Sequence, residues 1–262
     1  MRHRVDRAAV PDARRHAVLT VTAAILALAI GTAMGLLGGG GSLVAVPAFT
    51  FLLQLPPKDA VVTSLAVVGV ASAAGAISGF IRGVIPVTVA LVVGISATAG
   101  AFAGGIAGAR LSDHTQMAIL GIVMLIAALA LWRQPAVGRT DRASASRPVL
   151  ALIGVSIGVL TGLVGVGGGF LIVPALVVGA GLPIREAAAA SLFVIALAAF
   201  AGLVGYAGQT AIAWPFILPI AAVAAAGTIA GGLVAWRLPQ RRLQQAFALS
   251  LVALASFVFT RV

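Results

Sequence analysis

Long apolar segments separated by short polar or Gly/Pro breaks follow one another along the whole chain. Two shorter apolar pieces, 43–54 and 169–180, reach only about 18 Å as helices, roughly half of the hydrocarbon thickness. Every other segment has the length that crosses a membrane as a helix. These long segments are 17–37, 59–81, 85–109, 115–133, 149–166, 186–208, 212–236 and 242–260. The pattern predicts eight membrane-spanning helices and two half-helices.

The two halves of the chain repeat each other at an offset of 127 residues without a gap. The matches include Gly35-Leu36 with Gly162-Leu163, Val46-Pro47-Ala48 with Val173-Pro174-Ala175, Leu55-Pro56 with Leu182-Pro183, Ser64-Leu65 with Ser191-Leu192, and Gly104-Gly105 with Gly231-Gly232. Glycine, proline and serine matches at one offset indicate an internal duplication. We therefore expect an all-α integral membrane protein with about eight transmembrane helices in two homologous four-helix repeats, each with a glycine-broken half-helix.

This pattern divides the chain into four parts. We expect a cytoplasmic basic N-terminal tail at 1–16, a first transmembrane repeat at 17–133, a polar interdomain loop at 134–148 and a second transmembrane repeat at 149–262. The N-terminal stretch has the arginine-rich head and apolar run of a signal peptide. Because that run continues directly into the repeated unit, we interpret it as the first membrane helix.

The composition agrees with a membrane protein. The chain is 61% hydrophobic and 9% charged, against roughly 45–50% and about 25% in soluble domains. Its net charge of +11 comes from cations scattered singly between apolar runs, which is typical of topology signals and not of a nucleic-acid surface. Four crossings per half with a cytoplasmic N-terminus would place eleven cations inside and six outside. That count favours parallel halves, although re-entrant half-helices would escape it.

Two glycine runs interrupt the apolar pattern, GLLGGGGSLVAVP at 35–47 and GLVGVGGGFLIVP at 162–174. Each glycine weakens a helix by about 1 kcal/mol relative to alanine, so we expect both runs to break their helices. Backbone N–H groups exposed at such a break, at the start of a half-helix, favour an anion. The two breaks could face each other near the membrane midplane and enclose one substrate. The alternative is that the glycines only allow close helix packing.

A second matched stretch follows each half-helix, LPPKDAVVTSL at 55–65 and LPIREAAAASL at 182–192. Thr63, Ser64 and Ser191 could present hydroxyl groups to a substrate, or could instead bond the carbonyl groups of their own helix. Arg82 and Gln209 close the second helix of each half, where they could line an entrance or serve as interfacial anchors.

Groups for acid–base or metal chemistry are absent from the apolar interior. All six acidic residues lie outside the long apolar runs or at their ends, the three histidines lie in terminal or loop positions, and there is no cysteine. We therefore expect no enzyme activity, no metal site and no cofactor. A neutral cavity lined by N–H groups suits an anion better than a cation or a proton relay.

With these motifs in view, the sequence resembles the sulfite exporter TauE/SafE family of bacterial permeases. GLLGGGGSLVAVPAF and GLVGVGGGFLIVPAL resemble the family's glycine-rich segment, and AVVTSL and AAAASL resemble its continuation. The resemblance implies a secondary transporter in the inner membrane that moves, and most simply exports, sulfite or an organosulfonate. It also implies the following substrate-binding residues: Gly38, Gly40, Gly41, Ser42, Thr63, Ser64, Gly165, Gly167, Gly168, Gly169 and Ser191.

The expected partners are a small anionic substrate and the lipid bilayer, with a homodimer possible in principle and no role for nucleic acid. Two other functions stay open at this point. The chain could transport a non-sulfur organic anion, or it could be a membrane scaffold or assembly partner without transport activity.

Overall fold

The chain is helical throughout its described part. The computed structural model describes residues 13–42, 45, 49, 54, 57–108, 113–133, 146–164, 169–206 and 214–259. In the first half the elements are α1 (Ala13–Leu37), a 3₁₀ helix (Gly38–Gly41), α2 (Pro57–Ile81), α3 (Val87–Gly108) and α4 (Asp113–Arg133). In the second half they are α5 (Arg147–Val164), α6 (Gly169–Val178), α7 (Ile184–Tyr206), α8 (Trp214–Arg237) and α9 (Gln240–Phe259). No strand occurs within these ranges.

The eight long apolar segments of the sequence lie on α1 to α5 and α7 to α9, within a few residues where the structure describes them. The half-helix predicted at 169–180 is α6, while most of the one predicted at 43–54 lies outside the described residues. Among the described residues, four stretches are long and apolar enough to cross a membrane: Val62–Ile81, Val87–Gly104, Ile184–Ala201 and Trp214–Arg237. The described part of the chain is thus that of a helical membrane protein, and the number of eight spanning helices stays a prediction.

The duplication is visible in the helix boundaries. The first residues of α2, α3 and α4 precede those of α7, α8 and α9 by 127 residues in each case, the offset found in the sequence. Asp59 and Glu186 lie in the first turns of the matched helices α2 and α7, where a carboxylate is favoured by the positive end of the helix dipole.

Helices α1 and α8 are joined by a seam of glycines. A Cβ atom built on Gly31 would fall on the backbone of Ala224, and one built on Gly35 would fall on the backbone of Thr228. The residue numbers rise together along both helices, so α1 and α8 run parallel. Because no side chain separates the two backbones, the helices approach as closely as glycine permits.

Helices α5 and α3 form the matching seam between the two halves. A Cβ atom on Gly158 would fall on the carbonyl oxygen of Ala97, and one on Gly104 would fall on that of Val159. Shifting these contacts by 127 residues reproduces those between α1 and α8. The first long helix of each half therefore packs on the third long helix of the other half, α1 on α8 and α5 on α3.

Helices α2 and α7, which also correspond by the offset, pack against each other in opposite directions. Their contacts pair Gly69 with Ala199, Gly75 with Leu192, and Gly79 with Ala189. As the number rises on α2 it falls on α7. Parallel halves would give corresponding helices the same direction, so the preference for parallel halves was wrong and the two halves are opposed.

The physical reason lies in the first glycine run. A Cβ atom on Gly41 would lie 2.7 Å from the Ile30 carbonyl oxygen and 2.6 Å from Met34 Cγ, so the chain turns back beside α1 after Gly38. The last turns of α1 and α2 lie at the same end of the bundle, so the two helices run in the same direction. A count of long apolar segments does not detect this direction.

Opposed halves change the distribution of cations between the two ends of the bundle. Arg82 and Arg185, which parallel halves would place on opposite sides of the membrane, lie at the same end, where α2 and α8 terminate and α7 begins. The expected distribution of eleven to six was therefore wrong.

Candidate functional site

The two glycine runs meet in the interior, where the first break packs on the start of α6. A Cβ atom on Gly39 would fall on the backbone of Gly169, and one on Gly169 would lie 2.8 Å from Ser42 Oγ and 3.0 Å from the Gly39 carbonyl oxygen. Both glycines are buried. The structure thus brings together the described parts of both predicted breaks.

The first break is a 3₁₀ helix in which Gly38 adopts a left-handed conformation, with φ of +68°. A Cβ atom there would lie 2.6 Å from Ser191 Oγ, 2.9 Å from the Ala188 Cα and 2.9 Å from Val173 Cγ2. Glycine is therefore required at position 38 for two reasons, the left-handed backbone angle and the lack of space for a Cβ atom. Gly38 and Ser191, one from each half, lie side by side.

The hydroxyl groups at the break already donate within their own segments. Ser42 Oγ donates to the Gly39 carbonyl oxygen at 2.7 Å, and Ser191 Oγ donates to that of Ala188 at 2.7 Å. The alternative considered for Ser191, a bond to its own helix, is what the structure shows. In this arrangement both hydroxyl oxygens keep only acceptor capacity, so a bound anion would depend on backbone N–H groups.

The remaining predicted residues are placed less completely. Thr63 and Ser64 are buried in α2, with 5% and 4% of their surfaces exposed. Gly40 lies within the 3₁₀ helix. Gly165, Gly167 and Gly168 lie outside the described residues.

Sequence reasoning missed Gly39, which makes the tightest contact between the two breaks. The second copy has valine at the matching position, Val166, so the comparison of the two repeats does not select Gly39. The signal was present in the unbroken run of four glycines at 38–41. A residue that is not repeated in the other half can still contact that half.

Arg185, which is not among the predicted site residues, has specific contacts. Its Nη2 donates to the Leu238 carbonyl oxygen at 2.6 Å, and its guanidinium carbon lies 5.2 Å from the ring centroid of Trp236. Arg185 therefore ties the start of α7 to the turn between α8 and α9.

Comparisons with known proteins indicate a family of membrane transporters. The profile described as sulfite exporter TauE/SafE matches residues 23–258. A probable membrane transporter protein of Xylella fastidiosa strain Temecula1 is 28% identical over 241 residues, covering 88% of this chain and 92% of the relative. The probable membrane transporter protein YdhB of Bacillus subtilis strain 168 is 26% identical over 232 residues, covering 84% and 92%. No solved structure matches the chain.

Proposed function

Because the chain belongs to the sulfite exporter TauE/SafE family, we propose that it is a secondary transporter that exports a small anion, sulfite or an organosulfonate, across the bacterial inner membrane. That it is a membrane transporter follows from the family and from the relatives. The substrate class, the direction and the membrane are the proposal.

The contact between Gly39 and Gly169 carries this proposal. It joins the two interrupted segments inside a bundle whose halves are opposed, which is the arrangement in which a central site is reached from either end. Both interruptions leave helix-end backbone groups in the interior, and such groups need a partner where water is excluded. A small oxyanion supplies acceptor oxygens for N–H groups.

We assign recognition mainly to the backbone of the glycine runs, with Gly38, Gly40 and Gly41 from the first half and Gly165, Gly167, Gly168 and Gly169 from the second. Ser42, Ser191, Thr63 and Ser64 form the surrounding hydroxyl groups of the proposed site. The described residues contain no group of three or more His, Cys, Asp or Glu side chains able to hold a metal ion. We therefore derive no metal-dependent or covalent step.

The test is flux in proteoliposomes containing the purified protein, with sulfite, sulfate, thiosulfate, taurine and sulfoacetate offered separately. We expect saturable flux of at least one sulfur oxyanion above that of protein-free liposomes. Gly39→Ala should abolish it, because the added methyl group falls on the Gly169 backbone. Gly94→Ala is the matched control, since its nearest neighbour is a flexible end of Leu197 at 3.4 Å.

Correct folding of both variants is checked by size-exclusion chromatography in detergent. Full flux in Gly39→Ala would overturn the site. Flux restricted to carboxylates would replace sulfur oxyanions with another organic anion. The absence of flux for every anion, in folded and inserted protein, would contradict transport of these anions and favour the scaffold function.

A further inference from the structure

An open pocket lies at the end of the bundle where α2 and α8 terminate and α7 begins. Its empty space is about 500 Å³, which includes the solvent at its open side. Helices α1, α2, α7 and α8 supply most of its wall, which is largely apolar. Two arginines, Arg82 and Arg185, line the pocket, and no acidic residue is among the described residues that do so.

The guanidinium group of Arg185 is fixed in position, and no described acidic residue lines the pocket beside it. Its bond to the Leu238 carbonyl and its position over Trp236 fix the guanidinium group, while its Nε is buried without a hydrogen-bond partner among the described residues. A partly buried guanidinium without a carboxylate partner is stabilised by an anion placed beside it. Orientation by Leu238 and Trp236 reduces the entropy that such binding would otherwise cost.

Arg82 approaches the same pocket from the turn after α2. Its backbone N–H bonds the Ser78 carbonyl at 3.2 Å, and Gly83 follows in a left-handed conformation with φ of +65°. Its side chain is exposed and lies at the opening of the pocket. The pocket wall is largely apolar, and none of the described residues that line it is acidic. Two cations at an apolar-walled opening attract small anions from solution.

The floor of the pocket reaches the first glycine break. Ala188 lines the pocket, and its Cα would lie 2.9 Å from a Cβ atom on Gly38. Gly35 and Leu36, three and two residues before Gly38, also line it. An anion held by the arginines would therefore be one layer of residues away from the glycine runs.

We propose that this pocket is a second anion site, the arginine vestibule, in which Arg82 and Arg185 capture a small oxyanion at one mouth of the protein before it reaches the glycine runs. The role in transport rests on the proposed function, whereas the capture of anions does not. By the offset, the other mouth would carry Gln209 for Arg82, Lys58 for Arg185 and Ala109 for Trp236. The three residues of the vestibule are therefore not repeated in the sequence of the other half.

Trp236 provides a test that is independent of transport. In a Trp132→Phe, Trp214→Phe background, Trp236 is the remaining tryptophan of the three in the chain. At constant ionic strength, we expect the quenching constant of iodide for Trp236 to be about fivefold larger with Arg82 than in the same background with Arg82→Gln. The reason is the Coulomb attraction between the guanidinium group and an iodide ion bound beside it. Sulfate should compete with iodide. Neutral acrylamide should quench both proteins equally.

Arg133→Gln is the matched control, because Arg133 is an exposed arginine at the same end that does not line the pocket. It should leave iodide quenching unchanged. Equal iodide quenching with Arg82 and with Arg82→Gln, or an equal loss with Arg133→Gln, would overturn the vestibule.

Flux separates this inference from the proposed function. In proteoliposomes we expect Arg82→Gln to raise the apparent KM severalfold and to leave the maximal flux unchanged, as capture before the central site requires. A wild-type protein that transports, with unaltered KM in Arg82→Gln, would also overturn the vestibule. If the wild type shows Arg82-dependent iodide quenching but no anion flux, the capture site stands and the transport function fails.

Discussion

The two glycine seams of the protein repeat each other contact by contact, whereas its two mouths differ in sequence. Gly31 meets Ala224 as Gly158 meets Ala97, and both contacts are backbone to backbone. At the mouths, by contrast, Arg82 and Arg185 correspond by the offset to Gln209 and Lys58.

This difference shows which parts of a duplicated half are free to diverge. In a seam, any added Cβ atom meets a neighbouring backbone that cannot move without separating two helices. At a mouth, side chains extend into a pocket or into solvent, where a new residue displaces little. One mouth, to which both halves contribute, can therefore acquire a charged site while the interior keeps its symmetry.

The largest effect is expected from breaking a seam. Gly31→Leu and Gly158→Leu should each lower the free energy of unfolding by about 3 kcal/mol, since overpacking against backbone lies at the upper end of such costs. The symmetry of the seams predicts equal losses in the two variants. Residual monodisperse protein after heating in detergent measures the loss.

Gly94→Ala again serves as the matched control for this pair, because its neighbours are side-chain ends of Leu197 and Val194. It should shift stability by well under about 1 kcal/mol. A wild-type melting curve for one of the two seam variants, with a large loss in the other, would contradict the equivalence of the seams.

A smaller effect is expected from making the mouths alike. Gln209→Arg places an arginine at the sequence position that matches Arg82, in addition to Lys58. The apparent KM for an anion that enters from the mouth opposite the vestibule should therefore fall about threefold at low salt. Flux in right-side-out and inverted membrane vesicles measures the two sides separately. An equal change at both sides would show that the charge does not act locally at one mouth.

The smallest effect is expected at the matched serines. Ser191→Ala removes a hydroxyl that already bonds Ala188, so we expect a stability loss of about 1 kcal/mol and less than a threefold change in flux. Ser64→Ala should behave alike if the halves are equivalent there. A tenfold or larger loss of flux in either variant would instead indicate direct contact between that hydroxyl and the substrate.

Apolar run length was sufficient to predict the helices, because a helix must satisfy its backbone within the membrane and the runs supply its length. The direction of the halves could not be predicted in this way. It depends on the return of the chain at Gly41 beside Ile30 and Met34, a tertiary contact that cation counts do not detect.

The site was predictable in part for a similar reason. Glycine runs indicate broken helices, and Gly38 has the left-handed angle that favours glycine. The partner of a glycine is not encoded locally, however, so the contact between Gly39 and Gly169 required the fold. The same holds for the pocket, where Arg82 and Arg185 are about a hundred residues apart in the sequence.

The exchange of first and third helices between the halves bears on how such a chain could originate. Both seams join one half to the other, so a shorter ancestor with only one half would have formed them between two separate copies inserted in opposite orientations. Fusion through the segment at 134–148 would then make permanent a pairing that chance insertion produced only in some molecules.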